Sequence, residues 1–398
     1  MLFSMLPRIS SAASTRLAAI TLAAASLSHA TDPALERWKS ATHHPVSALT
    51  DRHVIHAYFN TCPESPDGKY VVYYTSDTSE GEKGDLRIRE QSTGKETVIA
   101  RDINTEDAHR AACQQWSNGG TTVVYHDNHD GHWRVVAVDI ATLKEKVLAE
   151  DRQLGFGAPA GPWVPVYGCH WNPGVNRNLE LINVLTGETR TPVKVDQVVK
   201  EYSEWIQTKF EGTDISIFFP VMSPDCKKVF FKLSKPGGGS DFRSMKVSLR
   251  DGKVVFDLEN GKFIRLITRW GHPSWSPDST GIFEAGNFLQ NVTTGQSLPR
   301  YAPSCFSDHP TLSPDGKVFV TDADVSKRPF GKPGYWAIGI GSLKEDSFEV
   351  IDLFDNTKGA TSWRHNHPHP AFSADGKRIY YNVNDGKWTR LMVASAAD

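Results

Sequence analysis

At 398 residues, with 39% hydrophobic and 23% charged side chains, the chain has the composition of a water-soluble globular protein of one large domain or two to three ordinary ones. Its formal net charge of −2 removes the electrostatic case for a nucleic acid or a membrane surface as partner.

The first element in chain order is a signal peptide expected over residues 1–30. Arg8 and Arg16 supply positive charge, residues 17–27 form an apolar run too short to span a bilayer, and Ser28 and Ala30 put small residues where a signal peptidase reads. Cleavage after Ala30 would leave residues 31–398 as a secreted or periplasmic protein. Export permits disulfides, but Cys62, Cys113, Cys169, Cys226 and Cys305 are widely spaced with no CxxC or zinc-type pattern, so mostly buried thiols are expected.

An internal repeat follows. Ser-Pro-Asp begins at Ser65, Ser223, Ser276 and Ser313, Ser373-Ala374-Asp375 is a near copy, and each precedes a run rich in Val, Ile, Phe and Tyr. Proline at the second turn position with Asp next reads as a β-turn between two strands. Ser276 lies 53 residues after Ser223, whereas Ser223 lies 158 after Ser65, so degenerate copies are expected at residues 114–120 and 163–184. Thr-Gly tips at Thr93-Gly94, Thr186-Gly187 and Thr294-Gly295 add outer strands. Seven units of four short antiparallel strands predict an all-β fold, a seven-bladed β-propeller in a single domain over residues 31–398. The last unit is one strand short, and residues 46–50 are expected to supply that strand and close the ring. Residues 195–210 break the pattern, because Val198, Val199, Tyr202, Trp205 and Ile206 recur at helical spacing. They predict a short helical insertion between blades three and four that packs on a face of the disc.

The residue four before the Ser of the turn is His272, His309 and His369 in units five to seven, and Thr61, Cys113 and Phe219 in units one, two and four. Equal offsets predict equal height around the axis, so the three imidazoles should converge at the channel mouth. His367, two residues before His369, shares its face if the segment is extended. Convergent neutral imidazoles suit Mn, Fe, Ni, Cu or Zn, or serve as a structural pin. A second group is expected on the rim of units two and three: His109 and His126 with Tyr167, His170 and Arg177. Arg243, beyond the glycine-rich loop of unit four, is a further candidate for binding an anion.

The repeats resemble the TolB-like propellers. The run from His367 to Ser373, the histidines at the same offset in units five and six, and Ile55-His56-Ala57-Tyr58-Phe59 resemble the oligogalacturonate lyases. That resemblance implies a seven-bladed propeller that cleaves uronate-containing glycans by β-elimination, with a divalent metal held by histidines. Carried over, the ligands are His272, His367 and His369, with His309 at the same register; the ion implied is Mn or Ca ahead of Zn, and no organic cofactor is expected. Two positions depart from that pattern: Arg364 stands where the family has a Gln ligand, and Phe219 where it has its proposed base. The related ulvan and rhamnose–glucuronate lyases instead resemble the second group, His109, His126, Tyr167 and Arg177.

Uronate elimination requires a neutralised carboxylate, a base for the C5 proton and a proton for the oxygen leaving C4. Arg177 or Arg243 is assigned to the carboxylate, His109 or His126 to the base, and Tyr167 to the acid. The expected partner is a uronate-containing oligo- or polysaccharide. Two other classes fit the same fold: a non-catalytic TolB-like binding propeller, which predicts neither metal nor turnover, and a propeller glycoside hydrolase, which needs two carboxylates across the cleaved bond.

Overall fold

The computed structural model describes residues 32–237, 248–362 and 364–397. The expected signal peptide and Arg243 lie outside them. The repeated turn is a local hydrogen-bond device. In five copies the Ser hydroxyl donates to the Asp two residues on, at 2.5–2.7 Å. The same oxygen accepts the backbone N–H of Tyr70, Lys228, Gly281, Val318 or Arg378, at 2.9–3.1 Å. Each turn therefore satisfies its own polar groups and starts the next strand in fixed register.

Seven antiparallel sheets result, six of four strands and one of three. They form the expected seven-bladed propeller. The three-stranded blade, Ser274–Trp275, Gly281–Glu284 and Phe288–Asn291, gains partial outer pairing where the Leu298 amide bonds the Leu289 carbonyl at 2.9 Å. Adjacent blades are joined by packing and by indoles. Trp116 and Trp275, each one residue before the turn Ser, donate to the carbonyls of Pro63 (2.7 Å) and Val221 (3.0 Å) in the preceding blade.

The ring closes by strand exchange, with one correction to the expected segment. Thr42–Pro45, not residues 46–50, lies outside Arg390–Ser395 in blade seven. The Val46 amide still donates to the Leu391 carbonyl at 2.9 Å, and its side chain is buried with Val54, Tyr73 and Leu391, so the outer strand ends where the expected one begins. A second clasp joins blades seven and one: Arg378 makes a bidentate pair with the buried Glu64 at 2.7 and 2.8 Å, and the Tyr380 hydroxyl donates to the same carboxylate.

The insertion is two helices, Val195–Glu201 and Ser203–Phe210. Val198, Ile206 and Phe210 are buried against Leu179 and Val193 of blade three and Ile217 and Val229 of blade four. Trp205 lies over Gly252, where a Cβ would come within 2.5 Å of the indole. The insertion thus packs as expected. All five cysteines are free thiols.

Candidate active site

At the place four before the turn, Cys113, Phe219 and His369 adopt φ of 52°, 53° and 49°. Such a left-handed residue costs about 1 kcal/mol or more and persists where its surroundings hold it. Residues 365–370 are not strand, so the two-residue period does not place His367 and His369. Both nonetheless reach one residue: the His109 ring lies 4.6 Å from each, centroid to centroid.

His109 had been expected in a separate group. It arrives at the axis because the Asp107 carboxylate accepts the backbone amides of His109 (2.9 Å) and Arg110 (3.1 Å), turning the chain inward. The Asn366 side chain then donates to the Ala108 carbonyl at 2.7 Å, and the Ala108 amide donates to Ser362 at 3.1 Å. Loops of blades two and seven so meet across blade one. Beside them His309 packs on His369 at 4.6 Å and stacks on His272 at 4.3 Å. Tyr58 plugs the channel among these rings, 4.4 Å from His369 and stacked 5.6 Å from Phe156.

The donor set fits a metal ion. His309 Nε2, His367 Nδ1 and both ring nitrogens of His369 are buried without a hydrogen-bond partner, which is costly unless something binds them. His109, His367 and His369 present ligand atoms within 4.8 Å of one another, as do His272, Asp308 and His309. Burial holds the pKa of His109 and His369 well below the ordinary value and that of His367 down at about 3, so these rings are neutral lone-pair donors. His109 Nδ1 lies 3.1 Å from the His365 carbonyl oxygen. A carbonyl only accepts, so Nδ1 carries the proton and Nε2 keeps its lone pair. Burial opposes charge on His309 as well, but Asp322, 2.8 Å from its Nδ1, outweighs it and raises the pKa. The same Asp322 accepts the backbone amide of His369 at 2.9 Å.

Above this ring opens a cavity of about 340 Å³. Four basic side chains line it, Arg110, Lys232, Arg250 and Arg364, with Phe218, Phe219 and Trp270 as apolar walls. Arg364 is not oriented as a ligand. Its Nε donates to Asp107 at 2.6 Å, and Arg110 donates to Glu106 at 2.6 Å. Burial opposes the charge of Glu106, but Arg110 and Arg364 outweigh it and hold its pKa at about 2.

The remaining expected residues are spread. His126 and Tyr167 form a buried layer behind Arg110: His126 Nδ1 accepts the Leu154 amide at 3.1 Å, and the Tyr167 hydroxyl accepts from Arg110 at 3.3 Å. Neither lines the cavity, whereas His170 does. Arg177 pairs with Asp214 and with the Gly174 carbonyl in an exposed loop away from the cavity. Asp308, Asp322, Arg110, Arg250 and Lys232 were not legible as site residues. Asp308 adjoins His309 and Arg110 adjoins His109, both weak signals; the rest sit in strands whose meeting is not local.

No protein-family model matches the chain, and no curated protein matches it by sequence. Among solved structures it is similar to an oligogalacturonate lyase in complex with manganese, at 15% identity and a TM-score of 0.61 over 90% of this chain and 94% of that one. It is also similar to an oligogalacturonate lyase from Vibrio parahaemolyticus, at 15% identity and a TM-score of 0.59 over 89% and 93%. At this identity the likeness is one of fold.

Proposed function

We propose that the protein is an exported lyase that cleaves a uronate-containing glycan by β-elimination in the axial cavity. The observation that carries this reading is a cavity in which Arg110, Arg250 and Arg364 share the lining with His109 and His272, beside imidazoles whose buried nitrogens have no hydrogen-bond partner. Uronates bring the carboxylates such a lining neutralises, and the aromatic walls suit the sugar faces.

His109, His367 and His369, with His272, Asp308 and His309 beside them, would hold a divalent ion, and an imidazole-rich set suits Mn better than Ca. Bound there, it would supply Lewis-acid polarisation of the uronate carboxylate. Arg250 and Arg364 orient the carboxylate from the cavity wall, while Glu106 and Asp107 hold Arg110 and Arg364 in place. Tyr58 and Phe219 keep water from the base of the cavity. A hydrolase would need a carboxyl kept protonated at neutral pH. Glu106 is held ionised by its arginines, and Asp308, though partly desolvated, is held well below the ordinary value by His272 and His309; burial raises the pKa of Asp107, but its oxygens are taken by Arg364 and by the His109 and Arg110 amides.

The test is the ultraviolet absorbance of the unsaturated uronate product, with Mn-loaded protein and with pectic, ulvan and glucuronate-ended substrates in turn. Absorbance growth with one of them is the expected result. Silence on all three ends the lyase reading.

A further inference from the structure

Lys232 differs from the other basic side chains of the cavity. Arg110 and Arg364 each bind a carboxylate, at 2.6 Å in both cases. Among the described residues no carboxylate pairs with Lys232. Its Nζ donates to the Gly271 carbonyl at 2.9 Å and otherwise meets aromatic faces, Trp270 at 4.0 Å and Phe219 at 4.9 Å. The side chain is 3% exposed and comes from the second strand of blade four, paired in register with Phe218. Burying an ammonium with one carbonyl acceptor and no counter-charge is expensive; a buried neutral amine is much less so. A neutral amine has two N–H groups and one lone pair, so it can keep the Gly271 bond and still direct the lone pair into the cavity.

The groups facing it act in the same direction. Burial first, then Lys253 and Arg250 from the next strand, push its pKa well below that of an ordinary lysine; Glu284 of blade five opposes this and Arg110 of blade two adds to it. Of the imidazoles lining the cavity, His109 and His272 belong to the groups that fit the ion, and His170 is packed against Trp171 and Phe218, at 4.8 and 4.7 Å between ring centroids.

We infer that Lys232 is the base that removes the C5 proton of the bound uronate. This rests on the lyase reading and names a residue that reading leaves open. The lone pair on Nζ bonds to the C5 proton, and the C5–H electron pair becomes the C4–C5 double bond. The C4–O bond breaks with its electrons on the leaving oxygen, which takes a proton from water. The Lys232 ammonium then returns its proton to the hydroxide so formed, and the net change is transfer of the C5 proton to the leaving oxygen.

The experiment compares Lys232→Arg, Lys232→Met and Lys232→Ala with wild type, all loaded with Mn, on the substrate the wild type cleaves. Metal content and melting temperature serve as folding controls. The expected result is a loss of roughly 10³-fold in kcat for both Arg and Met, in line with the usual weight of a general base, with KM changed only a few-fold. Lys232→Ala should regain turnover with added primary amines, rising with their basicity. Turnover within tenfold of wild type in Lys232→Arg would overturn the inference, since a positive charge alone would then suffice; so would a Lys232→Ala defect confined to KM. A wild type silent on every uronate substrate fails at the earlier step and takes this inference with it.

Discussion

His369 shows how one side chain can be placed by forces its own sequence position does not reveal. Its left-handed backbone is held by the Asp322 carboxylate on its amide, and its ring is enclosed by Tyr58, His109 and His309 with neither nitrogen bonded. His369→Ala should therefore abolish tight Mn binding, read by metal content after dialysis, while the fold persists. Asp322→Asn should weaken Mn affinity about 10–100-fold, the usual effect of removing the carboxylate behind a ligating imidazole, and calorimetric titration measures it. A second residue-scale expectation concerns acid. Burial, then Arg110, depresses the pKa of His126 to about 3, against 6.5 for an unperturbed histidine. Between those values the unfolded chain binds the extra proton, so stability rises with pH: it is full above 6.5 and falls progressively as pH drops toward 3. His126→Gln should flatten that dependence by about 1.4 kcal/mol per pH unit, seen in denaturant midpoints across the window.

At the scale of the element, the turn is the unit that makes the blade. Ser313 is fully buried; it donates to Asp315 and accepts from the Lys317 and Val318 amides. Ser313→Ala leaves those amides and a carboxylate short of a partner, and should cost roughly 1–3 kcal/mol, read as a lower urea midpoint at unchanged slope. The loss should be local, because the neighbouring turns carry their own bonds. The helical insertion follows the same logic from the other side: its apolar spacing was visible because Val198 and Ile206 meet a hydrophobic partner surface, and packing needs no chemistry beyond that.

At the scale of the molecule, closure decides stability. The seventh blade is completed by Thr42–Pro45, and the ring is pinned again by Arg378 on Glu64. Arg378→Met strands a carboxylate that is 2% exposed and should cost roughly 3 kcal/mol. Adding Glu64→Gln should recover part of that loss, and a double-mutant cycle measures how much.

The repeat, its number and its strand order were determined by the sequence itself, because each turn is satisfied by residues two to five apart and needs nothing distant to form. The fourth-before-turn register likewise placed His272, His309 and His369 around one axis. Tertiary structure decided the rest of the site. His109 joined the ring through hydrogen bonds of its neighbour Ala108 with Asn366 and Ser362, more than 250 residues away, and Thr42–Pro45 took the place of the expected closing strand. Arg364 turned to Asp107, and the amine of Lys232 came to the wall of the cavity. These are contacts between loops of different blades, whose partners are set by how the ring closes and not by any spacing along the chain.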